Sequence, residues 1–84
     1  MITIILDSIQ INTPDDLYAQ LDSFLHFPGY FGYNLDALSD ILSEIGEPMT
    51  LSITDAPTLE RTLGASFYHR FLQVFRNNNI SINI

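Results

Sequence analysis

The chain of 84 residues has no cysteine and no lysine, and its only basic side chains besides two histidines are Arg61, Arg70 and Arg76. Without cysteine there are no disulfides and no thiol redox chemistry. Ten acidic residues against three arginines give a formal net charge of −7. Direct nucleic-acid binding requires a basic patch that displaces counterions, and none can be assembled from this composition. Anionic membrane surfaces are disfavoured for the same reason. Long apolar runs are also missing: nothing approaches the roughly 20 residues of a membrane span. The opening Ile-Thr-Ile-Ile-Leu has no basic segment ahead of it and is too short for the apolar core of a signal peptide. A cytoplasmic location is the simplest reading. With 46% hydrophobic and 12% aromatic residues, the chain is too apolar for extended disorder. Its length fits one domain over residues 1–84, burying about 60–65% of the unfolded surface. A field this acidic attracts and steers a basic protein partner; the plainer alternative is that it only keeps the chain soluble.

Ile2 to Leu6 reads as a short β-branched strand bounded by Asp7 and Ser8, with a brief connector through Asn12. Thr13-Pro14-Asp15-Asp16 is a helix start: Thr13 is the N-cap, Pro14 takes the first helical position and Asp16 is placed for a capping box. Leu17, Leu21, Phe24 and Leu25 then recur at helical spacing, and the helix ends before Phe27-Pro28-Gly29. After a second helix, described below, Met49 to Thr54 alternates as a strand. Ala56-Pro57 opens a short helix closed by Gly64. A last helix runs from about Ser66 to Asn77, with Phe67, Phe71, Leu72, Val74 and Phe75 as its core face. Asn77-Asn78-Asn79 ends it, since Asn tolerates left-handed backbone. Ile80 to Ile84 alternates as a third strand. The order βααβααβ implies a parallel sheet. The polar alternate positions of strands two and three place helices on one face only, and right-handed crossovers then give strand order 1-2-3 in a two-layer α/β domain.

The residues that organise the chain lie between Phe27 and Ile45. Pro28, Gly29 and Gly32, set among Phe27, Tyr30, Phe31 and Tyr33, make an aromatic loop. Asn34 is a good N-cap for the helix that follows, and Asp36 falls in its first turn. At 100° per residue, Leu35, Leu38, Ile41, Leu42 and Ile45 form a stripe centred near roughly 300°. Asp36, Asp40 and Glu44 fall almost opposite, near roughly 140°, with Ser39 and Ser43 on the polar face beside them. Like charges at i, i+4 destabilise a helix by about 0.2–0.5 kcal/mol per pair. A row that is mildly bad for folding invites a functional reading.

Tyr30-Phe31-Gly32-Tyr33-Asn34-Leu35-Asp36-Ala37-Leu38, followed by Asp40 one turn on, resembles the barstar family of intracellular ribonuclease inhibitors. Phe71-Leu72-Gln73-Val74-Phe75-Arg76 is similar to the family's last helix. The resemblance spans essentially the whole chain. It implies a barstar-like domain acting as a non-catalytic inhibitor, whose acidic helix plugs the active site of a small basic ribonuclease in a 1:1 complex. The residue matching Asp40 would present its carboxylate where a substrate phosphate binds. Those matching Asp36 and Tyr30 would make further contacts. Around them, Phe31, Gly32, Tyr33, Asn34, Ala37, Ser39, Ser43 and Glu44 complete the expected partner-binding set, with no cofactor and no metal. The chain departs from the family at Ser39 and Ile45, where relatives often carry aromatics, and at Asn77, where an acidic residue is usual. These departures leave the nuclease open: a different ribonuclease, or a toxin domain for which this chain is the immunity protein.

Each feature also has a plainer reading. The acidic row could be a solvated face. The loop aromatics could be core, with Phe31 the residue best suited to packing and Tyr30 the one best suited to contact. Gly32 reads as structural, for positive φ or for close approach of a partner backbone. Three carboxylates in a row on one helix neither wrap a cation nor face one another across a cleft as paired-carboxylate catalysis needs. His26 and His69 read as surface residues. The expectation is therefore a monomeric inhibitory binding module, not an enzyme. Its alternatives are an interaction domain that kept the fold without nuclease binding and, more remotely, a small carboxylate- or metal-dependent hydrolase.

Overall fold

The structure, a computed structural model, describes residues 1–29 and 31–84. Strand β1 (Ile2–Asp7) is followed by a single 3-10 turn (Ser8–Gln10), helices α1 (Pro14–Leu25) and α2 (Leu35–Glu44), strand β2 (Met49–Thr54), helices α3 (Ala56–Leu63) and α4 (Ala65–Asn77), and strand β3 (Ser81–Asn83). The three strands form one parallel sheet in the order β1-β2-β3, which is the expected α/β arrangement.

Alternation decides which sheet face is covered. Ile4 and Leu6 of β1 and Met49, Leu51 and Ile53 of β2 are buried, whereas Thr3, Ile5 and Asp7 are exposed. Register carries the pattern across the sheet, Thr3 beside Thr50 beside Ser81 and Ile5 beside Ser52 beside Asn83. The helices therefore lie on one face, and the hydroxyl-rich face stays open. Buried α-helical residues complete the core: Leu17, Tyr18 and Leu21 of α1, Leu38 and Leu42 of α2, Ala56 and Leu59 of α3, and Tyr68, Phe71, Leu72 and Phe75 of α4. Each of the larger side chains, fully buried, is worth about 1.5–3 kcal/mol of transfer free energy.

Element boundaries differ from expectation where backbone groups are already committed. β1 continues one residue further, pairing Asp7 with Thr54, and the Asp7 carboxylate then accepts from Ile9 N–H to cap the 3-10 turn. α4 begins at Ala65, because Gly64 both closes α3 and accepts the Tyr68 N–H; its φ of +87° is the left-handed geometry that favours glycine. β3 is shorter than Ile80–Ile84 because Ile80 N–H bonds back to Phe75 O, which makes Ile80 the closing turn of α4. Asn79 takes the left-handed conformation there, at φ +60°.

Candidate functional site

α2 is held from its apolar side. Leu38 and Leu42 are buried, Leu35, Ile41 and Ile45 pack half-buried against the core, and the helix lies on α4. Its N-terminus is capped by Asn34, whose Oδ1 accepts from Ala37 N–H at 2.8 Å while Nδ2 donates to Gly32 O at 3.1 Å. That doubly held side chain explains Gly32. The glycine does not have positive φ; a Cβ there would instead lie 2.8 Å from Asn34 Nδ2. The left-handed residue is its neighbour Tyr33, at φ +50°.

Asp36, Asp40 and Glu44 are all exposed, in a row on the face opposite Leu38 and Leu42. Among the described residues none of the three carboxylates enters an ion pair or accepts a hydrogen bond; the ion-paired carboxylates are Glu47, 3.0 Å from the Met1 amine, and Glu60, 3.3 Å from His69 Nε2. Nor do Arg61, Arg70 or Arg76 neutralise any of them. Glu44 sits in the last turn, where the helix dipole is unfavourable to an anion and no basic residue compensates. The row is thus rigidly mounted, solvent-facing and electrostatically uncommitted.

Beside the row runs a groove of about 260 Å³, with Pro28, Phe31 and Gly32 of the loop on one bank and Ala37, Asp40, Ile41 and Glu44 on the other. Phe31 belongs to both groove and core: it is 8% exposed, stacks on Phe27 at 4.0 Å and meets Tyr18 edge-on. Tyr33 stands 60% exposed, edge-on to Tyr18 and Phe31. Tyr30 lies outside the described residues. The structure therefore brings together Phe31, Gly32, Ala37, Asp40 and Glu44 around the groove, with Tyr33, Asn34 and Asp36 at the N-terminal end of α2. Ser43 is exposed and folds its hydroxyl back onto Asp40 O. Ser39 is half-buried and turned to the opposite flank, accepting a long hydrogen bond from Asn78 Nδ2 at 3.5 Å across a separation of 39 residues. No sequence motif marked Pro28 and Ile41 as lining residues, since both read as a turn and a core position. Asn77 is exposed, its Oδ1 accepting from Gln73 Nε2 at 2.8 Å. Among the described residues, no three of the His, Asp and Glu side chains cluster as a metal site would require, and no helix is long and apolar enough to cross a membrane.

The family model for barstar, the barnase inhibitor, matches residues 1–83. The chain belongs to the barstar family. Membership implies a function of ribonuclease-inhibitor or immunity type, in a family whose members are inhibitors and not enzymes, with a ribonuclease such as barnase as the class of partner. Comparison with curated proteins finds no match. The Gly32-x-Asn34-Leu35-Asp36 segment builds the cap from which the acidic row of α2 projects.

Proposed function

We propose that this chain inhibits a basic ribonuclease by laying α2 into its active-site cleft, with Asp40 as the central phosphate-mimicking carboxylate and Asp36 and Glu44 flanking it. The observation that carries the reading is the uncommitted row on a helix whose opposite face is buried. Substrate phosphates in such a cleft are held by Arg, Lys and His, and a carboxylate accepts paired hydrogen bonds from a guanidinium much as phosphate does. Because packing fixes the α2 backbone, the ordering left to offset on binding is confined to the rotamers of the exposed side chains. Electrostatic steering accelerates association of two oppositely charged proteins, as it does for the barnase–barstar pair. The free protein is a single monomeric domain, the complex is 1:1 and the setting is cytoplasmic. An immunity role against a ribonuclease toxin fits the departures at Ser39, Ile45 and Asn77.

The test is inhibition of a panel of small basic ribonucleases, barnase and ribonuclease toxin domains among them, by wild type and Asp40→Ala. Stoichiometric inhibition of one member by wild type, with affinity lost by about thirty-fold or more in the variant, corresponds to a hot spot of at least ~2 kcal/mol. Equal inhibition by both proteins refutes the phosphate-mimic role of Asp40; inhibition by neither refutes the inhibitor reading and leaves a non-inhibitory interaction domain.

A further inference from the structure

A second concavity, of about 320 Å³, opens at the N-terminal end of α2, between Tyr33 and Phe67, with Tyr18 on its floor and Asp36 and Arg70 among its lining. Tyr18 is only 1% exposed, yet its hydroxyl has no hydrogen-bond partner among the described residues. Only Ser8 Oγ is a side-chain atom buried without a partner among the described residues, so the Tyr18 hydroxyl is the part of this buried side chain left in reach of the cleft, where a tyrosine hydroxyl ordinarily takes a partner. Arg70 is exposed and, among the described residues, forms neither an ion pair nor a hydrogen bond. The amides of Leu35 and Asp36 are the first two of α2, and Asn34 caps only Ala37 N–H. A guanidinium, a phenol hydroxyl and the dipole-positive helix end thus converge on one opening. That set of donors calls for an anion. Asp36 lies at the same opening and the chain carries a net charge of −7, which penalises a dianion more heavily than a single carboxylate. The walls from Tyr33 and Phe67 suit the methylene stem of a side chain.

We infer that this cleft receives an Asp or Glu side chain of the nuclease, held by Arg70 and the Tyr18 hydroxyl. The inference rests on the inhibitor reading above, because Asp36 belongs to both the acidic row and the cleft, so a protein covering one covers the other. It adds a contact of reversed polarity to an otherwise acid-on-base interface. Such a contact fixes register and discriminates among basic nucleases: one that presents Lys or Arg at this point meets Arg70 and is rejected.

The test has an expected sign that charge alone would not give. Arg70→Gln takes the net charge from −7 to −8 (−7 − 1), which for a plain acidic plug should hasten association with a basic nuclease and tighten binding. The cleft contact predicts the opposite. With the ribonuclease found by the inhibition panel, or barnase where barnase is bound, Arg70→Gln should weaken affinity tenfold or more, mainly through faster dissociation. Tyr18→Phe should weaken it by about threefold to tenfold, with an unchanged or higher melting temperature. Amide substitution of each acidic residue on the nuclease should uncover one in whose background Arg70→Gln has no further effect. Arg70→Gln binding equally or more tightly, or weakening with no coupled acidic residue, overturns the inference. In either case a retained Asp40→Ala loss shows that the inhibitor reading stands. If wild type binds no member of the panel, both fall together.

Discussion

Replacing Gly32 by alanine separates a steric role from a conformational one. The new Cβ would lie 2.8 Å from Asn34 Nδ2, closer than real Cβ contacts come. The side chain it displaces holds the Nδ2 bond to Gly32 O and the Oδ1 cap on Ala37 N–H. Loss of an Asn cap costs about 1 kcal/mol. Because Gly32 does not have positive φ, alanine also gains about 0.4–1 kcal/mol by restricting the unfolded chain. Gly32→Ala alone should therefore destabilise by no more than about 1 kcal/mol, and the two terms nearly cancel at one extreme. In an Asn34→Ala background nothing remains to displace, and the same substitution should stabilise by about 0.4–1 kcal/mol. The measurement is a double-mutant cycle by urea denaturation, with melting as a check; in a domain this small 1 kcal/mol moves Tm by about 4–8 °C. A coupling of about 1 kcal/mol is expected. Additivity within about 0.3 kcal/mol would refute the linkage between glycine and cap.

Asp40→Asn should raise the stability of the free protein by about 0.4–1 kcal/mol, relieving two i,i+4 repulsions while weakening ribonuclease binding; a melting temperature that falls would contradict the row being unsupported. The buried Ser8 Oγ has no partner among the described residues, so Ser8→Ala should raise the urea midpoint by the equivalent of about 1 kcal/mol. Gln20 accepts from Asp7 N–H at 2.9 Å and donates to Asp7 O at 3.1 Å, closing the end of edge strand β1. Gln20→Ala should cost about 1 kcal/mol and increase light scattering at high concentration as the edge opens. Burial, reinforced by Asp15 and opposed by Arg70, raises the Tyr18 hydroxyl above its ordinary value of 10.0; burial, with Glu60 against Arg76, does the same for Tyr68. Raised folded-state values mean that the associated stability is intact below the unfolded value and is lost as pH rises through the folded one. Alkaline titration should show unfolding beginning above about pH 10, with a weaker pH dependence in Tyr68→Phe.

Short-range chemistry was readable from the sequence. The Thr13 capping box with Asp16 is formed in full, Asn34 caps α2, and alternation in β2 marks the covered sheet face. These depend on residues at most four apart, and the physics that selects them is local. What the sequence concealed needs distant elements to meet. Tyr18 and Tyr68 are core residues that the aliphatic periodicity passes over, because each sits beside the main apolar stripe and is buried only when neighbouring elements close over it. Ser39 reads as polar surface on a helical wheel, but Asn78 claims it from the end of α4. The role of Gly32 depended on a rotamer of Asn34, which no spacing rule specifies.

The same contrast bears on why the row on α2 is tolerated. Two like-charge pairs cost roughly 0.4–1 kcal/mol together, and the unfavourable Glu44 end of the helix dipole adds a few tenths. Burial of Leu38 and Leu42 outweighs this several-fold, at about 1.5–3 kcal/mol each. Stability of α2 is thus assigned to one face and electrostatic potential to the other, so the acidic side chains can be exchanged without threatening the fold. A binding helix built this way can retune its partner through Asp36, Asp40, Glu44 and the residues at their flanks while Leu35, Leu38, Ile41 and Leu42 stay fixed. The departures at Ser39 and Asn77 fall outside that apolar stripe, where a change of nuclease partner would be accommodated, whereas Ile45 packs half-buried against the core as Leu35 and Ile41 do.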